Sequence, residues 1–360
     1  MKAYGVIMAG GGGTRFWPLS RRKLPKQFLN LTGRDILVNE TFDRLNRVAE
    51  KENIFVVTNA AYAVKTREVM GDRVRPCQIL AEPAARNTAA CIGYAAMEIL
   101  KKYGDGIMCV MPSDHYIEKE DLYAETVRRG IALAESRDCL VTIGIRPEYP
   151  ATGYGYIRSR EVLTEDGRQE DYRIVEEFVE KPEEETARFY LETGCYSWNS
   201  GMFIWKASLI LQYFKRLLPD IYACLEEIGD AMGTEREEQV LGEVYPKIPK
   251  ISIDYGILER ADRIIMLEGC FGWNDIGSLD ALEILHGKDE RGNTSIGKSI
   301  LVDTDGTICY SKDKLIVAAY VRNLMVVESE DAVLICPKEK AQDVKKIVDY
   351  LAEHGGEDCL

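Results

Sequence analysis

The feature that most constrains the fold is a rhythm. Over the first 145 residues, apolar β-branched runs alternate with amphipathic stretches of helical period, the pattern of βα units wound around a mainly parallel sheet. The spacing predicts strands over 3–9, 53–58, 77–82, 106–112 and 139–145, and helices over 36–51, 87–103 and 121–136. Asn87 is a natural N-cap for the middle helix, and Gly104 a natural stop. Between residues 150 and 275 the rhythm loosens into aromatic strand candidates (GYGYIRS, YRIVEEFVEK, NSGMFIWK) broken by acidic helices. This stretch is expected to be an insertion over the sheet that walls a cleft. From about Asn293, short apolar runs separated by Gly, Asp and Asn turns predict a small all-β appendage, closed by the amphipathic helix KEKAQDVKKIVDYLAE. Two domains are expected, 1–290 and 291–360, and 360 residues accommodate both.

Charge narrows the partners. Forty-six Lys and Arg against 59 Asp and Glu leave a net charge of -13, a sign that repels nucleic-acid backbones and anionic membrane surfaces. No run of 18 apolar residues is present, and Gly and Arg follow the first apolar run where a secretory segment would continue. No membrane association is expected, and the chain reads as cytoplasmic. Ten cysteines scattered without a CxxC, beside only three histidines, read as free buried thiols. They offer little to zinc chemistry or to a nucleophilic triad.

One stretch reverses the overall sign. AGGGGTRFWPLSRRKLPKQF, residues 9–28, follows the first strand directly. Gly10, Gly11, Gly12 and Gly13 allow the backbone to approach a ligand closely with successive N–H groups aimed at it. Residues 15–26 then add Arg15, Arg21, Arg22, Lys23 and Lys26 without one acid. A polyphosphate site is expected here. Walker A would need Lys-Ser or Lys-Thr where Thr14 and Arg15 stand, and a dinucleotide fingerprint would need a small residue where Arg15 or Phe16 stands.

The same stretch resembles the signature of the sugar-nucleotide pyrophosphorylases. Phe16-Trp17-Pro18-Leu19-Ser20 with Pro25-Lys26-Gln27-Phe28 is similar to their mannose-1-phosphate guanylyltransferase branch in particular. The likeness continues in order through EPAARNTAA (82–90), MPSDHYI (111–117), TGYGYI (152–157), FVEKP (178–182), WNSGMF (198–203), SIDYG (252–256) and WNDIG (273–277). It implies a Rossmann-like α/β nucleotidyltransferase with a mixed, mainly parallel sheet and a small C-terminal β-helix-like domain. The implied reaction is attack of mannose 1-phosphate on the α-phosphorus of GTP, giving GDP-mannose and pyrophosphate. A phosphate monoester with a second pKa near 6 is already largely dianionic at pH 7 and needs no general base, so scarce histidine is no obstacle.

The resemblance implies roles residue by residue. Arg15 and Lys26 match the cations on the triphosphate, with Thr14 and the glycines in the nucleotide loop. Asp114 and Asp275 match the Mg²⁺ ligands, and hard carboxylate oxygens from distant positions suit that ion. Glu82 is the candidate reader of guanine, whose adjacent N1–H and N2–H₂ donors suit an acceptor-only carboxylate. Asn87 is either a second base contact or only a helix cap. Glu180 is implied on the sugar hydroxyls and Lys181 on the sugar phosphate, although neighbours on a strand diverge unless its end twists; an exposed ion-paired strand end is the plainer reading. Asn199 and the backbone of Gly155 would add hydroxyl contacts, and Tyr154 or Tyr156 either stacks on a ring or packs in the core. Asp254 matches an acidic family position of unsettled role. Arg21, Arg22 and Lys23 carry no assignment, and His115 is structural.

Longer relatives carry a fused cupin-type isomerase after the β tail, whereas this chain reaches Leu360 after its last helix. The short, monofunctional form is expected, with a homodimer favoured by the apolar run LIVAAYV. The alternatives are a guanylyltransferase for another sugar 1-phosphate and a catalytically idle nucleotide-sugar sensor. An idle sensor should have lost a metal aspartate or a loop cation, and all four are present.

Overall fold

The computed structural model describes residues 1–163 and 169–360. The chain forms two compact units, and they interleave along the sequence. The first takes in Met1–Gly10, Thr41–Ser113 and Ile117–Trp273; the second takes in Gly11–Glu40, Asp114–Tyr116 and Asn274–Leu360.

The first unit is built on a nine-stranded sheet. Its strands are β1 (Ala3–Ala9), β2 (Ile54–Asn59), β3 (Ile79–Glu82), β4 (Ile107–Pro112), β5 (Leu140–Ile145), β6 (Tyr156–Leu163), β7 (Gln169–Val179), β8 (Tyr196–Lys206) and β9 (Ile264–Glu268). The spatial order is β3-β2-β1-β4-β8-β5-β9-β7-β6. Its first four strands are parallel and ordered like half of a doubly wound sheet. Strands β1, β2, β4 and β5 are buried along nearly their whole length, which explains their continuous apolar runs: a parallel sheet is covered on both faces.

The longer helices ahead of the C-terminal strands are α1 (Leu37–Leu45), α2 (Ala60–Met70), α3 (Asn87–Tyr103), α4 (Glu120–Ser136), α5 (Glu184–Thr193), α6 (Ala207–Leu217), α7 (Pro219–Ala231) and α8 (Glu237–Val244). Helix α3 is buried without interruption from Ala89 to Ile99, and packs on α6 and α7. Small residues let the axes approach. A Cβ at Gly93 would lie 2.4 Å from Leu225 Cδ1, and one at Gly229 would lie 2.6 Å from Met97.

Residues 150–275 do not lie over the sheet as an insertion. Strand β8 is threaded between β4 and β5, antiparallel to both, and β6, β7 and β9 extend the same sheet. The reason is the apolar length of β8, whose Met202, Phe203, Ile204 and Trp205 are all buried; such a strand needs neighbours on both edges. The predicted helix over 36–51 is also shorter, ending at Leu45.

The second unit contains the C-terminal strands β10 (Thr294–Ile296), β11 (Ser299–Val302), β12 (Ile308–Tyr310), β13 (Ile316–Ala319), β14 (Leu324–Glu328) and β15 (Val333–Pro337). Successive strands alternate between two sheets. Strands β10, β12 and β14 pair in parallel in one, and β11 with β13 in the other, the coil of a short β-helix that β15 closes antiparallel. A 3₁₀ turn over Lys338–Asp343 leads into α9 (Val344–Glu353).

The core of this unit joins the two ends of the sequence. Phe16 and Trp17 from the glycine-rich signature, with Leu29 and Leu31 just after it, are buried with Ile276, Ile308, Met325, Val327, Ala341 and Val344. All ten cysteines are free, five of them buried, so hydrophobic packing holds each unit. No described helix is long and apolar enough to cross a membrane.

Candidate active site

The glycine loop is shaped by two left-handed residues, Gly11 at φ 107° and Gly13 at φ 59°. A Cβ at Gly13 would stand 2.3 Å from Lys26 Cβ, so the loop crosses Lys26 more closely than any side chain permits. Gly13 C=O accepts from Phe16 N–H at 2.9 Å and from Ser20 Oγ at 2.7 Å, which fixes the turn from its far side. Exposed Thr14 then opens a 3₁₀ turn, Thr14–Phe16, and Arg15 leaves that turn into solvent. Arg21 is held by Asp331 at 2.5 Å and Ser329 at 3.0 Å, whereas Arg22 and Lys23 are exposed.

Lys26 is buried, and its Nζ lies 2.8 Å from Asp114 Oδ2 and 2.8 Å from the Asp275 carbonyl oxygen. Burial pushes the Asp114 carboxyl up, but Lys26 and His115 more than offset it, leaving Asp114 below its usual range. Asn274 Oδ1 accepts from Ile276 N–H at 2.7 Å, and Ile276 takes φ 47°. The tight turn folds the Asp275 carboxylate against Gly277, where a Cβ would meet Asp275 Oδ2 at 3.1 Å. Among the described residues no group of three or more His, Cys, Asp or Glu forms a metal cage.

In the first unit, Glu82 ends β3 and is buried. Tyr245 Oη donates to Glu82 Oε1, and the Tyr245 ring meets Tyr94 edge to face at 5.8 Å. Burial raises the Glu82 carboxyl and the tyrosine hydrogen bond draws it part of the way back. Gly10 borders the same carboxylate, with its Cβ position 3.9 Å from Glu82 Oε2. Asn87 departs from an ordinary cap. It sits at φ 69° and its Oδ1 takes the N–H of the adjacent Thr88 at 2.8 Å, while Thr88 Oγ1 accepts from Ile253 N–H at 2.9 Å. The segment SIDYG thereby docks on the start of α3.

The other first-unit residues converge. Asn199 N–H donates to Gly155 C=O at 2.8 Å, and a Cβ at Gly155 would stand 2.7 Å from Glu180 Oε2. Asn199 Nδ2 donates to Asp254 Oδ1 at 2.8 Å, while its Oδ1 accepts from Gly201 N–H at 3.1 Å. Burial first, then Glu180, pushes the Asp254 carboxyl up to about 6, against the opposing Asn199 hydrogen bond. Lys181 and Glu180 form an ion pair, since β7 ends at Val179 and Lys181 turns to φ 45°. The twist at the strand end is what lets neighbouring side chains meet. Tyr156 is core, whereas Tyr154 lies edge to face on Trp198 at 5.1 Å and Trp273 at 5.3 Å.

Gly155, Glu180, Lys181, Asn199 and Asp254 thus stand together in the first unit, which also brings Gly10 against Glu82. The second unit brings together Gly11, Gly12, Gly13, Thr14, Arg15, Lys26, Asp114 and Asp275. Sequence reasoning missed Tyr245, 163 positions from Glu82, and Gln342, whose Oε1 accepts from Arg15 at 2.6 Å. Nothing local in the sequence marks either one.

Residues 4–292 match the nucleotidyl transferase family, and residues 297–351 match the MannoseP isomerase/GMP-like beta-helix domain. A mannose-1-phosphate guanylyltransferase of Escherichia coli is 38% identical over 363 residues, covering 98% of this chain and 74% of that protein. The alginate biosynthesis protein AlgA of Pseudomonas syringae pv. tomato is 35% identical, covering 97% of this chain and 72% of its own length. The crystal structure of a mannose-1-phosphate geranyltransferase from Thermus thermophilus superposes with a TM-score of 0.88 at 34% identity, covering 98% of this chain and 100% of that one. The chain belongs to the nucleotidyl transferase family, among the mannose-1-phosphate guanylyltransferases.

Proposed function

We propose that the protein makes GDP-mannose and pyrophosphate from GTP and mannose 1-phosphate. The observation that carries the reading is the joint presence of a cationic glycine loop and a buried carboxylate suited to a guanine edge. The sugar phosphate is its own nucleophile, so the protein has to align two polyanions and offset their charge. Arg15, Lys26 and the N–H groups of the glycine loop neutralise the triphosphate; Lys181 holds the sugar phosphate. Glu82 accepts from guanine N1–H and N2–H₂, where adenine would set a lone pair against one carboxylate oxygen. Asn87 borders that edge. Glu180, Asp254, Asn199 and the Gly155 backbone meet the sugar hydroxyls. Residues 1–290 are read as the catalytic module and 291–360 as the appended one, in line with the two family matches.

Asp114 and Asp275 would hold Mg²⁺. The fit rests on the donors: Asp114 Oδ2 and the Asp275 carbonyl oxygen already converge on one cationic centre, the Lys26 ammonium, and oxygen donors are what this ion selects. When bound, Mg²⁺ supplies charge neutralisation at phosphate oxygens.

A cytoplasmic homodimer is the expected working form. Ile300 and Val317 are register partners on adjoining strands and stand 50% and 58% exposed, an apolar strip that a second copy would cover. Product analysis tests the activity. GTP with mannose 1-phosphate should yield GDP-mannose and pyrophosphate in equal amounts, and faster turnover of glucose or heptose 1-phosphate would reassign the sugar.

A further inference from the structure

A chain of polar contacts runs from the glycine-rich signature to the turn after Asp275, and its middle member belongs to the C-terminal segment. Arg15 Nη1 donates to Gln342 Oε1 at 2.6 Å, Gln342 Nε2 donates to Ser278 Oγ at 2.7 Å, and Ser278 Oγ donates to Asp280 Oδ1. Each link has only one possible sense. A guanidinium has donors and no acceptor, so the amide must turn its oxygen to Arg15 and its NH₂ to Ser278. An ionised carboxylate only accepts, so the single Ser278 hydroxyl proton goes to Asp280 and its lone pairs face Gln342.

The base of this chain is fixed while its tip is not. Phe16 and Trp17, immediately after Arg15, are buried in one core with Ala341 and Val344, which flank Gln342. Trp17 Nε1 also donates to the Cys359 carbonyl at 2.8 Å. Arg15 itself is exposed, and a free arginine side chain spreads over many rotamers. A neutral acceptor is the appropriate partner for such a side chain: it narrows the rotamers without cancelling the charge. Aspartate or glutamate in its place would form an ion pair and compete with phosphate for the same guanidinium.

We propose that Gln342 is a positioning residue for nucleotidyl transfer, holding the Arg15 guanidinium oriented and uncompensated and tying it to the turn that carries Asp275. This rests on the reading of Arg15 as a triphosphate ligand. The C-terminal segment then has a part in the chemistry beyond its packing, through one amide.

A double-mutant cycle on the full-length protein tests it, with pyrophosphate release measured against GTP and against mannose 1-phosphate and Tm measured alongside. Arg15→Ala reports on the underlying reading and should lower kcat by roughly 10²- to 10³-fold. Gln342→Ala should lower kcat/KM for GTP by about 3- to 10-fold, the range of one ordinary hydrogen bond, with KM for mannose 1-phosphate unchanged. In the Arg15→Ala background the Gln342→Ala change should have no further effect. Gln342→Glu should raise KM for GTP more than Gln342→Ala does, because it keeps the contact and adds the competing charge. Gln342→Glu also preserves side-chain volume, so it carries the comparison if Gln342→Ala lowers Tm. An equal loss from Gln342→Ala with and without Arg15, or no loss beside a crippled Arg15→Ala, overturns the positioning role alone. An active Arg15→Ala overturns the reading beneath it.

Discussion

Lys26 and Asp114 form an ion pair of 2.8 Å in which the ammonium is the buried partner, with 7% of its side chain exposed against 34% for the aspartate. The lysine therefore cannot relax into solvent when its partner is lost. It is also bonded to the Asp275 carbonyl at 2.8 Å, so one side chain sets the charge at both proposed metal-binding turns. Lys26→Met should lower kcat by roughly 10²- to 10³-fold, as for loss of one well-placed charge donor. It should also change acid stability in a definite direction. The Asp114 carboxyl is held below its ordinary value of 3.8, so its pairing stabilises the fold above that pH and is lost as pH falls through the lowered value. The stability gap between wild type and Lys26→Met, read as Tm against pH, should be widest at neutral pH and close below about pH 4.

Glu82 should decide the base. Glu82→Gln removes one acceptor and presents an NH₂ to a guanine edge of donors, so the turnover ratio of GTP to ATP should fall by about tenfold or more. Tyr245→Phe should lower the same ratio by a smaller factor, since it keeps the carboxyl but removes the hydrogen bond that orients Glu82 Oε1 and offsets part of the burial-driven rise of that carboxyl. Unchanged ratios in both variants would remove Glu82 from base recognition.

Asp254 carries a stability cost that should be measurable. Its folded value of about 6 lies above the ordinary 3.8, so the fold favours the protonated form, and stability declines as pH rises from about 4 through 6. Asp254→Asn keeps an acceptor for Asn199 Nδ2 and removes the charge. The variant should melt above wild type at pH 7.5 and together with it below pH 4, while its KM for mannose 1-phosphate rises. A variant that melts below wild type at pH 7.5 would contradict the buried-charge argument.

The exposed strip on the β-helix-like strands gives an assembly test. Val317→Asp, alone or with Ile300→Asp, places a charge on an outward position and leaves the Phe16, Trp17 and Val344 core intact. Light scattering should show wild-type dimers and monomeric variants. A truncation at residue 290 would serve less well, because it removes Ile308, Met325, Val327 and Val344 from the core that anchors the signature.

Much of this was legible in the sequence because the parallel half of the sheet writes itself in uninterrupted apolar strands. Strands β1, β2, β4 and β5 lie within a residue or two of the predicted spans, and α3 begins at Asn87 and ends at Tyr103 as expected. The nine-residue α1 was overestimated, since apolar periodicity continues past Leu45 into a turn. The placement of β8 between β4 and β5 was not legible, because nothing in a strand's own letters names its neighbours. The same limit hid Tyr245 and Gln342: each matters through one contact with a distant side chain. Asn87 shows a different failure, a correct residue type for a cap that stands one position inside the helix at φ 69° and takes the N–H of the adjacent Thr88.

The most direct test is pyrophosphate release by the full-length protein with GTP or ATP crossed against mannose, glucose and heptose 1-phosphates, with and without Mg²⁺. The expected result is rapid release with GTP, mannose 1-phosphate and Mg²⁺ together, and a marked loss when ATP replaces GTP or the metal is withheld. Equal rates with ATP, or no release with any sugar 1-phosphate, would contradict it.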